Sequence, residues 1–195
     1  MHMGHFVLTE RIIQTNQAKP GAPSNVDFRV VNVASGTHHI CALGPFLGQS
    51  CLGEAFFTKG WTSPSEGSFS YYRSKLSNVL HASELPKRHP GIRAYSVDLG
   101  WVDTKIHGMT LPGLLGWMRP PAKGASPIVY AATAAPGDIK IEGGLIDPWG
   151  FAHPPFELEG RLGMAPHDHL AGHLAARLWD FSAGVMKEKG PGQQV

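Results

Sequence analysis

Phe28-Arg29-Val30-Val31-Asn32-Val33-Ala34-Ser35 is a short, nearly continuous apolar run that ends in a serine. The stretch Ala18-Lys19-Pro20-Gly21-Ala22-Pro23-Ser24 sets it off from what precedes it, because proline and glycine break regular structure. A run of this length reads as a strand buried on both faces of a parallel sheet. The next strand signal, Ile92 to Val97, follows a segment from about 70 to 86 that carries Leu76, Val79, Leu80 and Ser83 at helical spacing. A strand, a helical crossover and a second strand make a parallel pair. The chain therefore reads as an α/β doubly wound parallel sheet with flanking helices.

The remaining segments extend this pattern in both directions. Residues 2–13 form an amphipathic helix with Phe6 and Ile13 on one side. The helix from 70 ends at Leu85-Pro86, since proline cannot continue it. Ala125 to Ala135 is helical, with Ile128, Val129 and Ala132 turned inward, and Gly143-Gly144-Leu145-Ile146-Asp147 is a last short strand. Leu170 to Met186 makes a terminal amphipathic helix through Leu174, Leu178 and Phe181. Residues 36–68, rich in Gly, Pro and Ser without clear periodicity, read as a loop insertion. Leu111 to Pro121 is apolar and fits a lid or a substrate-facing segment, and Trp101, Trp117, Trp149 and Trp179 are expected as core or lid aromatics.

Composition narrows the function classes. A length of 195 residues suffices for one domain, and 42% hydrophobic with 16% charged residues is ordinary for a soluble globular protein. The net charge of +2 and the scattered lysines and arginines give no footprint for nucleic acid. No apolar run approaches the roughly 20 residues of a membrane span, and no secretory leader pattern opens the chain. The expected compartment is the cytoplasm, with Cys41 and Cys51 as free thiols. His167, His169 and His173 invite a metal reading, but Pro166 blurs the helical register and no cysteine or carboxylate sits at a fitting distance. No metal is expected.

Tyr71-Tyr72-Arg73-Ser74-Lys75 carries the chemistry. Positions i and i+4 stack on one helix face, so the Lys75 ammonium can lie beside the Tyr71 phenol. A free tyrosine titrates near pH ~10, and a cation within ~4–6 Å favours its ionised form. Such a pair is a usable acid/base. Tyr72 sits about 100° round the helix from that face. Ser35, at the strand end, is placed to hold a substrate oxygen while Tyr71 exchanges its proton.

The run Tyr71-Tyr72-Arg73-Ser74-Lys75-Leu76-Ser77-Asn78-Val79-Leu80, with Val31-Asn32-Val33-Ala34-Ser35 before it, resembles the short-chain dehydrogenase/reductase superfamily. His89-Pro90-Gly91-Ile92-Arg93-Ala94-Tyr95-Ser96-Val97-Asp98-Leu99-Gly100-Trp101-Val102-Asp103-Thr104 looks like that family's next strand and cofactor loop. The three matches come in the family's order over most of the chain, and the branch they most resemble is the retinol-dehydrogenase-like and WW-domain-oxidoreductase-like one.

The resemblance implies a Rossmann-like sheet, NAD or NADP as cofactor, and interconversion of an alcohol and a carbonyl on a small apolar substrate. It assigns Ser35 to substrate orientation, Tyr71 to acid/base catalysis and Lys75 to the nicotinamide ribose. Gly100, Val102 and Thr104 fall in a loop that packs on the nicotinamide. Leu99 replaces that loop's usual proline, and the separation of Ser35 from Tyr71 is longer than usual.

Two features depart from the family. No Gly-rich strand–turn–helix for the pyrophosphate occurs, and Met1 stands where the family's asparagine would be. Residues 1–195 thus read as the C-terminal portion of one Rossmann-like domain, an incomplete sheet with an open edge at residues 28–34. Three readings follow: an oxidoreductase impaired by the missing half, a non-catalytic truncated form that associates with full-length relatives, and a coding sequence that starts upstream of Met1. The resemblance places a dimer contact on helices 2–17 and 70–86.

Overall fold

A computed structural model describes residues 2–17, 27–42, 67–104, 118–153 and 168–189. In chain order these form α1 (His2–Gln17), β1 (Phe28–Val33), a 3-10 turn (Gly36–His38), α2 (His39–Ala42), α3 (Gly67–Arg88), β2 (Ile92–Val97), α4 (Pro121–Thr133), β3 (Leu145–Ile146), β4 (Ala152–His153) and α5 (Asp168–Lys189). The strands make one open sheet in the order β1-β2-β3-β4. β1 and β2 run parallel in register from Phe28↔Ile92 to Val33↔Val97, and β2 continues parallel to β3 through Ser96↔Leu145. β4 closes antiparallel on β3. This mostly parallel sheet with flanking helices is a partial Rossmann-like α/β fold.

Strand alternation sorts the core into two layers. On one face Phe28, Val30, Ile92 and Ala94 meet Met3, Phe6 and Ile13 of α1, Ala82 and Leu85 of α3, and Trp179 of α5. On the other, Val31, Tyr95, Val97 and Ile146 meet Ile128, Ala131 and Ala134 at α4. The spacing Met3, Phe6, Glu10, Ile13 keeps one side of α1 buried while Leu8 and Ile12 stay exposed.

β1 is the edge strand among the described residues, and its apolar Phe28, Val30 and Val31 are half-buried with Val33 exposed, rather than sealed on both faces. Ala34 N–H donates to the Val97 carbonyl, so the even-numbered residues of β1 turn their backbone groups toward β2. Arg29, Val31 and Val33 present theirs to the open edge. The Arg29 guanidinium folds over the sheet and donates to the Ala131 and Ala134 carbonyls at the end of α4, at 3.1 and 2.6 Å, which ties that helix to β1.

Several sequence expectations need correction. α3 runs three residues past Leu85, because a proline in the last turn forfeits only one hydrogen bond and His89 N–H closes that turn on the Leu85 carbonyl at 2.8 Å. α4 begins earlier than expected and buries Gly124, Pro127 and Ala131, leaving Val129 and Ala132 exposed. Small residues win that face because the helix lies close: a Cβ on Gly124 would stand 2.5 Å from Val102 Cγ2. Pro127 is accommodated inside the helix because the Lys123 carbonyl it leaves free accepts from Ser126 Oγ and Arg119 Nη2 instead.

The two ends of the 36–68 segment are helical, and 43–66 lie outside the described residues. Cys41 is disulfide-bonded, not a free thiol, and the chain's other cysteine, Cys51, lies outside the described residues. Trp179 is core, whereas Trp101 and Trp149 are 74% and 78% exposed. Trp117, His167 and 111–117 of the expected lid lie outside the described residues. Among the described residues no helix is long and apolar enough to cross a membrane, and no group of three His, Cys, Asp or Glu is placed to hold a metal ion.

Beneath α1 lies a buried aromatic group. His2 meets Ser182 Oγ at 3.0 Å, and His81 stacks on Trp179 with Phe6 beside it. Burial holds His2 down to about 3, with His81 adding repulsion, and His81 down to about 4. Both are neutral in the fold at pH 5, where an unfolded chain would already bind protons near pH ~6.5. The linked stability is complete above that pH and is lost as pH falls toward 4, each ring contributing up to about 1.4 kcal/mol per pH unit. Urea midpoints should therefore fall steeply from pH 6.5 to 4, while the ring C–H resonances of both histidines stay unmoved between pH 7 and 5. Native-state titration of either ring near 6.5 would contradict this.

Candidate active site

Register brings the carboxyl ends of β1, β2 and β3 to one side of the sheet, the place where open α/β sheets receive ligands. Beyond Val33 the chain continues through Ala34 to Ser35, which caps the 3-10 turn. Ser35 Oγ accepts from Thr37 Oγ1 at 3.1 Å and, more loosely, from Thr37 N–H at 3.4 Å. Because it accepts in both, its own proton stays available for a third group.

α3 crosses this end of β1. Lys75 Nζ donates to the Val33 carbonyl at 3.1 Å and lies 5.5 Å from the centroid of the Tyr71 ring. The ammonium thus faces the π-cloud of the tyrosine, a cation–π placement, instead of bonding to the phenol oxygen. Tyr71 is 41% exposed, open at the mouth of the site. Tyr72 stands against it edge-on at 6.2 Å between ring centroids. No hydrogen bond joins the Tyr71 and Ser35 hydroxyls among the described residues.

Burial pushes the Lys75 ammonium below the ordinary lysine range, and the carboxylate of Asp98 opposes that shift. Asp98 follows β2 directly. Its Oδ1 accepts from Gly100 N–H at 3.0 Å, and its Oδ2 would lie 2.9 Å from a Cβ on Gly36. Asp98 therefore spans the gap between the β1 and β2 ends and supplies the negative charge nearest Lys75. The sequence reading missed it, although Asp98-Leu99-Gly100 is a turn signal that fixes where such a side chain points.

Gly100 adopts φ +70 and packs on Pro148 and Arg119, so the loop after β2 needs glycine there. Val102 bridges to Arg119 and spends its side chain against Gly124 of α4. Thr104 is exposed at the end of this stretch. The structure brings Lys75, Tyr71, the Val33–Ser35 strand end and Asp98 together. Gly100 stands beside them through Asp98, and Val102 is turned to α4.

No family model matches the chain. Among curated proteins it is similar over 97% of its length to short chain dehydrogenase/reductase dpchH of Colletotrichum higginsianum (strain IMI 349063), with 28% identity across 204 residues. It is similar over 96% of its length to short-chain dehydrogenase/reductase drtF of Aspergillus calidoustus, with 25% identity across 210 residues. These alignments cover 48% and 60% of the two relatives, so the chain spans about half the length of the curated proteins it matches. Both distant relatives support the short-chain dehydrogenase/reductase superfamily.

The Lys75 site has a measurable linkage. A lysine whose folded titration lies below its unfolded value of 10.5 binds fewer protons in the fold than out of it. Its stabilising contribution is complete above pH 10.5 and is lost as pH falls through the folded value. Relative to Lys75→Met, the wild-type chain should gain stability as pH rises toward 10.5, read as a widening difference in urea midpoints. A difference that stays constant with pH would contradict a lowered Lys75 titration in the fold.

Proposed function

We propose that this chain is the C-terminal portion of an oxidoreductase of the short-chain type, in the retinol-dehydrogenase-like branch, interconverting an alcohol and a carbonyl on a small apolar substrate. The observation that carries this reading is Lys75 Nζ, held on the Val33 carbonyl two residues before Ser35 while lying over the Tyr71 ring. That contact supports reading Tyr71 as the acid/base and Ser35 as the orienting hydroxyl, with Lys75 as the cation beside them. Similarity to two proteins named short-chain dehydrogenase/reductase supports the same class.

In the reducing direction the substrate carbonyl oxygen lies between Ser35 and Tyr71. Ser35 donates its free proton in a hydrogen bond, and the Tyr71 hydroxyl transfers its proton to that oxygen. In the oxidising direction the tyrosine takes the proton back. Lys75, with two N–H donors beyond the one given to Val33, offers them to a ribose and stabilises negative charge on the phenol.

The residues that would hold the nicotinamide-ribose side of NAD or NADP are Lys75, beside the end of β1, and Gly100 and Thr104 in the stretch after β2. The dinucleotide, when bound, supplies or accepts the hydride. Among the described residues no Gly-rich turn links a strand to a helix N-terminus, so the pyrophosphate has no cradle there and this chain alone binds the dinucleotide weakly. General acid/base groups contribute about 10²–10⁴-fold, so Tyr71→Phe should lower kcat by at least about 10² with KM little changed. The assay is NADPH- or NADH-dependent reduction of a panel of apolar ketones and aldehydes. Unchanged turnover in Tyr71→Phe would remove the enzyme reading.

A second reading has its own support. Leu8 and Ile12 stand exposed one turn apart on α1, at 60% and 43%, in the region where the resemblance places a dimer contact. A truncated chain that works by association would use this surface together with the exposed end of α3. Sedimentation should then show a complex with a full-length relative that Leu8→Glu with Ile12→Glu abolishes. Loss of that complex with monomer stability intact supports association, whereas a monomer in both forms excludes it.

A further inference from the structure

We infer that Asn78 is a positioning residue for Lys75: with Asn32 it forms a reciprocal clasp between α3 and β1 that fixes where the lysine ammonium rests. This inference rests on the proposed function for its catalytic meaning and on geometry for everything else. Tyr71, Lys75 and Asn78 occupy positions i, i+4 and i+7, which share one stripe of a helix. Asn78 is 6% exposed, so water does not serve its amide. Its Nδ2 donates to the Val33 carbonyl at 3.0 Å, the same oxygen that receives Lys75 Nζ at 3.1 Å. In return Asn32, 8% exposed, donates from its Nδ2 to the Asn78 backbone carbonyl at 3.1 Å and meets His81 Nδ1 at 3.0 Å.

The strand side chain thus holds the helix backbone, and the helix side chain holds the strand backbone. A carbonyl has two lone pairs. Asn78 takes one of them at Val33, which leaves the ammonium a single bearing on that oxygen. Without the amide, the carbonyl loses its fixed partner, the ammonium can swing about it, and water reaches the space that Asn78 filled. Two other groups on or near this face bear on the same lysine: Asp98 after β2 carries an opposing charge and Tyr71 supplies a ring. Further titratable groups in the segments packed on α3 include His38 and His39 after Ser35, Arg29 of β1, Arg93 and Tyr95 of β2, and the histidines and charged residues of α1 and α5.

The test follows the Lys75 side chain itself. In full-length chain labelled with [13C,15N]lysine, the Lys75 Cε resonance, assigned by its loss in Lys75→Arg, is titrated with pH. Asn78→Ala should raise the Lys75 midpoint by about half a pH unit or more toward the ordinary lysine range, because the ammonium leaves its half-buried bearing for water. Ser77→Ala, which removes a fully buried hydroxyl bonded to the Arg73 carbonyl on the adjacent position, should leave it unmoved.

A folded Asn78→Ala chain with an unshifted midpoint overturns the inference, and so does a Ser77→Ala shift of equal size. Should Asn78→Ala not fold, Asn32→Ala cuts the other half of the clasp and must move the midpoint the same way; an unmoved value overturns the inference. Because this readout needs no turnover, it can fail while Tyr71→Phe still abolishes activity, and the reverse.

Discussion

In-register parallel pairing of β1 with β2 is the constraint from which the rest of the site follows. Six consecutive pairs, Phe28↔Ile92 through Val33↔Val97, bring both carboxyl ends to the same level. Gly36 and Asp98 then meet across the gap, Gly36 having no side chain where the Asp98 carboxylate lies. A slip of one residue would exchange the two faces of β1. Arg29 would swing into the apolar layer beneath α1, and Phe28 would lose it. The burial pattern therefore enforces the register, and the register enforces the site.

α3 does the second half of the positioning. It lies under α1 and α5 and over β1 and β2, yet it buries Ser74, Ser77, Asn78, His81 and Glu84 among its leucines. Each has a partner: Ser74 and Ser77 return to carbonyls of the previous turn, Asn78 and His81 meet β1, and Glu84 holds Lys87 and Arg88. A purely apolar helix could slide or rotate on the sheet at little cost. Buried amides that must find particular acceptors remove that freedom, since leaving one unpaired costs about 1–3 kcal/mol. The lysine and tyrosine inherit their placement from this polar seam.

How much of this was legible in the sequence differs by element. Ile92–Val97 read as a strand and is one, because Ile-Arg-Ala-Tyr-Ser-Val has no competing helical period. The start of α1 and the burial of Phe6 and Ile13 followed from their spacing. Of the inward face expected for α4, Ile128 does pack on the core, whereas Val129 and Ala132 are exposed, because close approach to Val102 selected glycine, with proline and alanine beside it. β4 was not foreseen, since two residues leave no periodicity; the turn before it is made by Asp147, which accepts from Trp149 and Phe151 N–H groups. At the site, Tyr71 and Lys75 were legible as a helical pair. Asp98 and the shared Val33 carbonyl were not, because both depend on pairing between distant segments.

Among the described residues two indoles, Trp101 and Trp149, stand in water near the carboxyl ends of β2 and β3, while Trp179 is sealed beneath α1. The molecule therefore carries built-in optical reporters of opposite exposure. Emission from Trp101 and Trp149 answers to whatever settles on the rim of the sheet, and emission from Trp179 answers only to loosening of the helical layer. With Trp61 and Trp117 replaced by phenylalanine, occupancy of the cleft and integrity of the core become separable by light.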